Sequence, residues 1–216
     1  MFDKKNIRRA LEKALEDKGK RKFKQSVEFI INFKGIDFKK PENRLNLSIF
    51  LPHAPKRGKK IAAFAEGQTA LEAKKMGFTV FEPTDIEALA KDKKRLKKIS
   101  KEYEFIAEPK LMVIVGKRLG QVLGPRGKLP KPIVGDLKLV AKQVGSSVRV
   151  ATKGKYLPVV QCAIGTEDMA LEELVENAES VYEHVRGKVG DQNIKSLYVK
   201  LTMGRAVKVE PESKKK

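Results

Sequence analysis

Lys195-Ser-Leu-Tyr-Val-Lys-Leu-Thr-Met-Gly-Arg205 reads as a strand with two different faces, because Leu197, Val199 and Leu201 alternate strictly with Tyr198, Lys200 and Thr202. One face is apolar enough to pack on a core. The other displays an aromatic ring, an ammonium and a hydroxyl, and it runs into Met203 and Gly204, where a missing Cβ lets a partner approach the backbone. By itself this is either an ordinary half-exposed strand ending in a turn or one edge of an RNA-binding surface, and the flanking chain decides between them.

Upstream of that strand, Val160, Cys162 and Ile164 alternate with Val159, Gln161 and Ala163. A helix then follows to about Arg186, capped by Thr166-Glu167-Asp168, with Leu171, Leu174, Val175, Ala178, Tyr182 and Val185 as its apolar stripe. Its outer face carries Glu172, Glu173, Glu176, Glu179 and Glu183 and would repel phosphate, so the RNA surface is expected on the opposite side of the sheet. At the other terminus, residues 3 to 17 place Ile7, Ala10, Leu11, Ala14 and Leu15 at helical spacing. Lys20, Arg21, Lys22 and Lys24 follow, crowding Phe23. Val27, Phe29, Ile31 and Phe33 then alternate, as do Leu45, Leu47, Ile49 and Leu51, which predicts two strands paired antiparallel in one sheet.

The middle of the chain changes character. Pro52 to Lys60 is too rich in Pro, Gly and charge for regular structure and reads as a linker, and Lys153-Gly-Lys-Tyr156 reads as its return. Between them, strands at 61–65, 79–81 and 105–107 alternate with helices at 69–76 and 84–90, with 91–101 as helix or loop. That alternation predicts a parallel three-layer α/β unit. Leu111 to Val115 reads as a strand by its β-branched content or as a helix started by Pro109. The stretch from Gly116 to Pro132 is expected as a shaped loop; Val134 to Val144 reads as a helix, and Ser147 to Ala151 as the strand closing the unit. The loop does not match a P-loop, since Val122 stands where Gly is needed and Leu129 where Ser or Thr is needed. Amides at Gly124 and Gly127 beside Arg126 and Lys128 would still suit an RNA phosphate, or the loop is purely structural.

Composition sets the partner class. The chain has 216 residues, with 47 Lys and Arg against 27 Asp and Glu, a net charge of +20 and 41% hydrophobic residues. A folded protein with so positive a field suits a polyanion. The lone Cys162 and the distant His53 and His184 offer neither a disulfide framework nor a sequence-local zinc cluster, and no apolar run approaches the about 18 residues of a membrane span. A soluble cytoplasmic protein without cofactor or metal is expected. Paired carboxylates with a histidine are missing too, so an enzyme is not expected.

The sequence resembles the ribosomal protein L-one family, archaeal type, along essentially its whole length. Leu119-Gly-Gln-Val-Leu-Gly-Pro-Arg-Gly-Lys-Leu-Pro130 resembles the family's signature loop, Lys22-Phe23 with Ser26-Val27-Glu28 its first-strand motif, and Thr202-Met203-Gly204 its C-terminal RNA-contact motif. The resemblance implies an α/β (α+β) protein of two domains. A discontinuous split β-α-β, ferredoxin-like domain would comprise residues 1–60 and 156–216, and a Rossmann-like domain, 61–155, would be inserted in it. It further implies that 111–118 is helical. RNA would be bound by Lys22, Phe23, Lys24, Glu28, Lys195, Lys200, Thr202, Met203, Gly204 and Arg205, with Gly124, Arg126, Gly127 and Lys128 as a secondary loop. The implied partners are large-subunit rRNA, the exiting tRNA and the protein's own mRNA, bound by a monomeric chain. Bacterial members usually carry a small polar residue where this chain has Leu201. A generic basic RNA chaperone without a specific rRNA site is the alternative.

Overall fold

The computed structural model describes residues 2–55, 60–152 and 157–211. In chain order the elements are α1 (Lys4–Leu15), β1 (Ser26–Phe33), β2 (Asn46–Phe50), β3 (Lys60–Phe64), α2 (Gly67–Lys75), β4 (Thr79–Phe81), α3 (Pro83–Lys91), α4 (Lys93–Glu102) and β5 (Tyr103–Ala107). There follow α5 (Pro109–Leu123), β6 (Lys131–Pro132), α6 (Leu137–Ser146), β7 (Ser147–Ala151), β8 (Val159–Thr166), α7 (Leu171–Val189), β9 (Ile194–Leu201) and β10 (Val207–Val209). Contacts divide them into a terminal unit, 1–57 with 146–216, and an inserted unit, 58–145.

In the terminal unit the strands lie in the order β10-β9-β1-β8, each neighbouring pair antiparallel. β8 and β9 therefore run parallel to each other with β1 between them, and α7 connects them. This is the split β-α-β arrangement. The two-residue periodicity of β1 sends Val27, Phe29, Ile31 and Phe33 to one face, in register with Leu201, Val199 and Leu197 of β9 and with Val160 and Cys162 of β8. α1 and α7 cover that face with Ile7, Leu11, Leu174, Ala178, Val181 and Val185. Glu28, Ile30, Asn32, Gln161, Tyr198 and Lys200 are half-exposed on the other face.

Two expectations fail here for one reason. β2 was expected beside β1, but both hydrogen-bonding edges of β1 are taken by β8 and β9. β2 instead pairs antiparallel with β7, from Asn46↔Ala151 to Phe50↔Ser147, and this ribbon adds Leu45, Ile49, Leu51 and Val150 to the terminal core. Ser147–Ala151 thus belongs to the terminal unit, although it was expected to close the inserted one. The inserted unit ends at Gly145, not near 155. The linker readings fall largely outside the described residues, at 56–59 and 153–156.

The inserted unit is a parallel sheet, β4-β3-β5-β6, between two helical layers. Phe64, Phe81 and Phe105 face α3, α4 and α5, and Ala63 and Ile106 face α2 and α6. Pro109 starts α5, as its missing N–H and fixed φ permit at a first helical position. The helix runs through 111–115 and through Gly116 and Gly120, so the expected loop begins only at Gly124. Leu111, Val115, Leu119 and Leu123 are buried at four-residue spacing, a helical period that overrides β-branched composition. α7 starts at Leu171, with Glu173 accepting from the Ala170 N–H at 3.0 Å; the expected cap at 166–168 is instead the turn leaving β8.

A chain joining residues 1–57 to 146–216 is expected to fold alone, whereas one joining 1–60 to 156–216 loses β7 and leaves β2 unpaired. Val150 is fully buried, and loss of one such valine costs about 1.5–3 kcal/mol. Chemical denaturation should therefore show the second chain at least that much less stable; equal midpoints would contradict the assignment of β7.

Candidate nucleic-acid interface

Because Ser26 pairs with Thr166 and Val27 with Leu201, three loops meet at one end of the sheet. They are the segment between α1 and β1, the turn after β8 and the turn after β9. Gln25, 1% exposed, joins them. Its carbonyl accepts from the Glu167 N–H at 3.0 Å, its Nε2 donates to Glu167 Oε2 at 3.4 Å, and its Oε1 accepts from the Met203 N–H at 3.0 Å. The buried Glu167 carboxylate also accepts from the Gly19 N–H at 3.4 Å. Each polar group taken from water is thus matched by a partner on another segment.

Thr202 completes the junction from the other side of Ser26. Its Oγ1 accepts from the Ser26 N–H at 3.1 Å and donates to the Ser26 carbonyl at 3.3 Å, while its own N–H reaches that carbonyl at 3.1 Å. The hydroxyl expected to meet RNA is committed to the protein backbone. These bonds fix the start of the turn that carries Met203. A Cβ on Gly204 would sit 3.1 Å from the Leu201 Cβ, so the turn closes tightly enough to favour glycine there.

Asp168 holds the basic segment. Its carboxylate accepts from the Thr166 hydroxyl and pairs with Lys24 Nζ at 3.1 Å, which together lower its pKa to about 2. Lys20 pairs with Asp17 at 2.5 Å. Outward from this frame point Phe23, 51% exposed, and Met203, 59% exposed, among the exposed Lys22, Arg21 and Arg205. Two large apolar side chains thus stand exposed at a charged rim.

Other expected residues are placed differently. Lys200 lies opposite Glu28 in register on the open sheet face, one residue from β9's end, and Glu28 accepts a hydrogen bond from Gln161 Nε2. Lys195 is exposed seven residues before Thr202, about 23 Å away along a strand, and does not join the junction. The acidic face of α7 is partly paired: Glu172 meets Arg8 at 2.8 Å, Glu179 meets Lys4 at 3.3 Å and Glu176 meets His53 Nε2 at 2.6 Å.

The glycine-proline loop of the inserted unit has a different structure from the one expected. The Gly127 N–H donates to the Gly124 carbonyl at 2.9 Å and the Lys128 N–H to the Leu123 carbonyl at 3.0 Å, with Gly127 at φ 66°. This is a Schellman helix ending. The Gly124 N–H is also used, on the Gly120 carbonyl at 2.8 Å, so none of these amides is open to a phosphate. Lys128 Nζ lies 2.6 Å from Glu104, both about a quarter exposed. Arg126 alone of the four loop residues is exposed.

Gln25, Glu167 and Asp168 escaped the sequence reading. Thr166-Glu167-Asp168 resembles a helix cap, and a buried glutamine has no periodic signature; the only local signal was a polar residue directly before a strand.

The architecture defines a class: a basic two-unit α/β protein, a parallel unit inserted into a split antiparallel one. The model of the ribosomal protein L1p/L10e family matches residues 11–205, and the chain belongs to that family. It is 42% identical over 215 residues to the large ribosomal subunit protein uL1 of Archaeoglobus fulgidus, covering 97% of this chain and 99% of that one. It is 41% identical over 220 residues to the protein of that name from Methanocaldococcus jannaschii, covering all of both chains, and 45% identical over 198 residues to that of Thermofilum pendens, covering 89% and 87%.

Replacing Gln25 by Leu keeps the volume but strands the Met203 N–H and one side of Glu167. The expected loss is about 1–3 kcal/mol, the cost of a buried unsatisfied group, read as a lowered unfolding midpoint. An unchanged midpoint would show that the junction does not depend on Gln25.

Proposed function

We propose that this chain is a structural constituent of the large ribosomal subunit and binds large-subunit rRNA through the junction at the end of the terminal sheet. The ribosomal role rests on its family and on the names of its relatives. It is not an enzyme. The observation that carries the binding site is the joint exposure of Phe23 and Met203 on loops held rigid by Gln25, Glu167 and Thr202. Unpaired RNA bases have flat faces that stack on such side chains, and RNA is recognised mainly where its bases are splayed out. Lys22, Arg21 and Arg205 supply phosphate contacts around them, which position the RNA without reading its sequence. Lys24, tied to Asp168, shapes the loop and neutralises a carboxylate that would repel phosphate.

The family resemblance supports a finer reading. The protein forms the mobile stalk by the tRNA exit, assists release of deacylated tRNA, and represses translation of its own mRNA by binding a copy of the rRNA site there. In the inserted unit Arg126 is the residue of the signature loop best placed for a phosphate.

Phe23→Ala and Met203→Ala should each weaken binding of a large-subunit rRNA fragment by about 5- to 150-fold, the equivalent of about 1–3 kcal/mol per stacked base, with unfolding midpoints unchanged. Competition with unrelated RNA in the same filter assay distinguishes the alternative. A generic basic chaperone would bind both RNAs equally, and both variants would match the parent.

A further inference from the structure

We propose that the outer surface of α4 and α5, in the inserted unit, is a second RNA-binding face that grips the sugar-phosphate backbone without regard to sequence. α4 and α5 pack on each other over one face of the parallel sheet, with Leu96, Leu111, Val115 and Leu119 in a shared core. Cations dominate what they leave outward, beside the exposed Val113 and Ile114. α4 exposes Lys93, Lys94, Arg95, Lys97, Lys98 and Lys101, and α5 exposes Lys110, Lys117 and Arg118. α5 contains no acidic residue, and the one acid within α4, Glu102, lies 3.4 Å from Lys60. Among the described residues none of these nine cations is in an ion pair.

That arrangement opposes the helix it sits on. Lys93, Lys97 and Lys101 stand at successive four-residue spacings, as do Lys94 and Lys98, and like charges so spaced destabilise a helix. The acids nearest in sequence, Asp92 and Glu102, stand at the two ends of α4, and among the described residues neither forms an ion pair with the row, so a polyanion would offset its charge. The row repeats every four residues, about 6 Å along the axis, a step similar to that between successive phosphates of a nucleic-acid strand. Lysine acts on phosphate as a point charge and needs no fixed orientation, which suits contact with a backbone of any sequence.

Other occupants fit less well. A membrane would need a broad apolar stripe, but the apolar sides of both helices are consumed by the core, leaving only Val113, 61% exposed, and Ile114, 43% exposed. Protein interfaces centre on aromatic anchors and are depleted in lysine, and this face is dominated by lysine with no aromatic residue on either helix. It is separate from the Phe23–Met203 junction and does not rest on it, since it belongs to the other unit and makes no use of base stacking.

The test uses the full chain and a short duplex RNA unrelated to rRNA. In one variant Lys94, Lys98, Lys101, Lys117 and Arg118 are changed to Gln; in the control, Lys13, Lys34, Lys39, Lys40 and Lys188, exposed cations of the terminal unit, are changed to Gln. Both lose the same charge. The first should bind at least about tenfold more weakly and lower the slope of log K against log salt by about 3, at about 0.9 per phosphate contact removed, while the control changes the slope by less than about 1. Equal changes in the two variants would reduce the effect to the field of the whole protein, and no change in either would remove the face from RNA binding. Tighter capture of the parent chain by anionic phosphatidylserine vesicles than by RNA, abolished in the first variant, would assign the face to lipid. Each of these three results overturns the proposal.

Discussion

Both hydrogen-bonding edges of Ser26–Phe33 are occupied, by β8 on one side and β9 on the other, and most of the molecule follows from that. A strand so enclosed cannot accept its sequence neighbour. β2 must find another partner and finds β7, which lies beyond the whole inserted unit in sequence. The same register brings Gln25, Thr166 and Thr202 to one end of the sheet, so the pairing that excludes β2 also assembles the proposed binding junction. β1 is buried on its other axis too, with Phe29 fully covered by the helices above it. Its register is therefore fixed, because a slip of one residue would turn that apolar set to water.

At the centre of this strongly positive protein's proposed RNA site stand two carboxylates, Glu167 and Asp168. Their placement resolves the apparent conflict. Glu167 is turned inward and accepts from Gln25 and Gly19, and Asp168 accepts from Thr166 and pairs with Lys24. Both serve to fix loops, and the charge that remains outward is positive. A polyanion arriving at the rim meets Lys22, Arg21 and Arg205 before it meets either acid, and the loops that carry Phe23 and Met203 need little ordering on contact. Preorganisation of this kind lowers the entropic cost of binding.

Elements with a clean period were legible in the sequence. The alternation in β1, β8 and β9 and the helical spacing in α1 and α7 identified the terminal unit's parts, and the β/α alternation identified the parallel unit. Strand partnership was not legible, because alternation says which face is buried and not which neighbour lies at the edge; β2 and β7 were misassigned on that account. α5 was ambiguous because Val113, Ile114 and Val115 favour strands locally while the burial period of Leu111, Val115, Leu119 and Leu123 is only visible once a core exists. In the candidate site, Phe23 and Met203 were singled out by the basic run, the end of the last strand and the motif resemblance. Gln25 was not, since what makes it important is the meeting of three segments distant in sequence.

The central claim is that rRNA is held at the β1 end of the terminal sheet, and ultraviolet crosslinking of the full chain to large-subunit rRNA, with the modified peptides located by mass spectrometry, tests it most directly. Crosslinks should fall on Phe23 and Met203 and on the peptides around Lys22 and Arg205. Crosslinks confined to the inserted unit, or to the α7 face bearing Glu179 and Glu183, would contradict it.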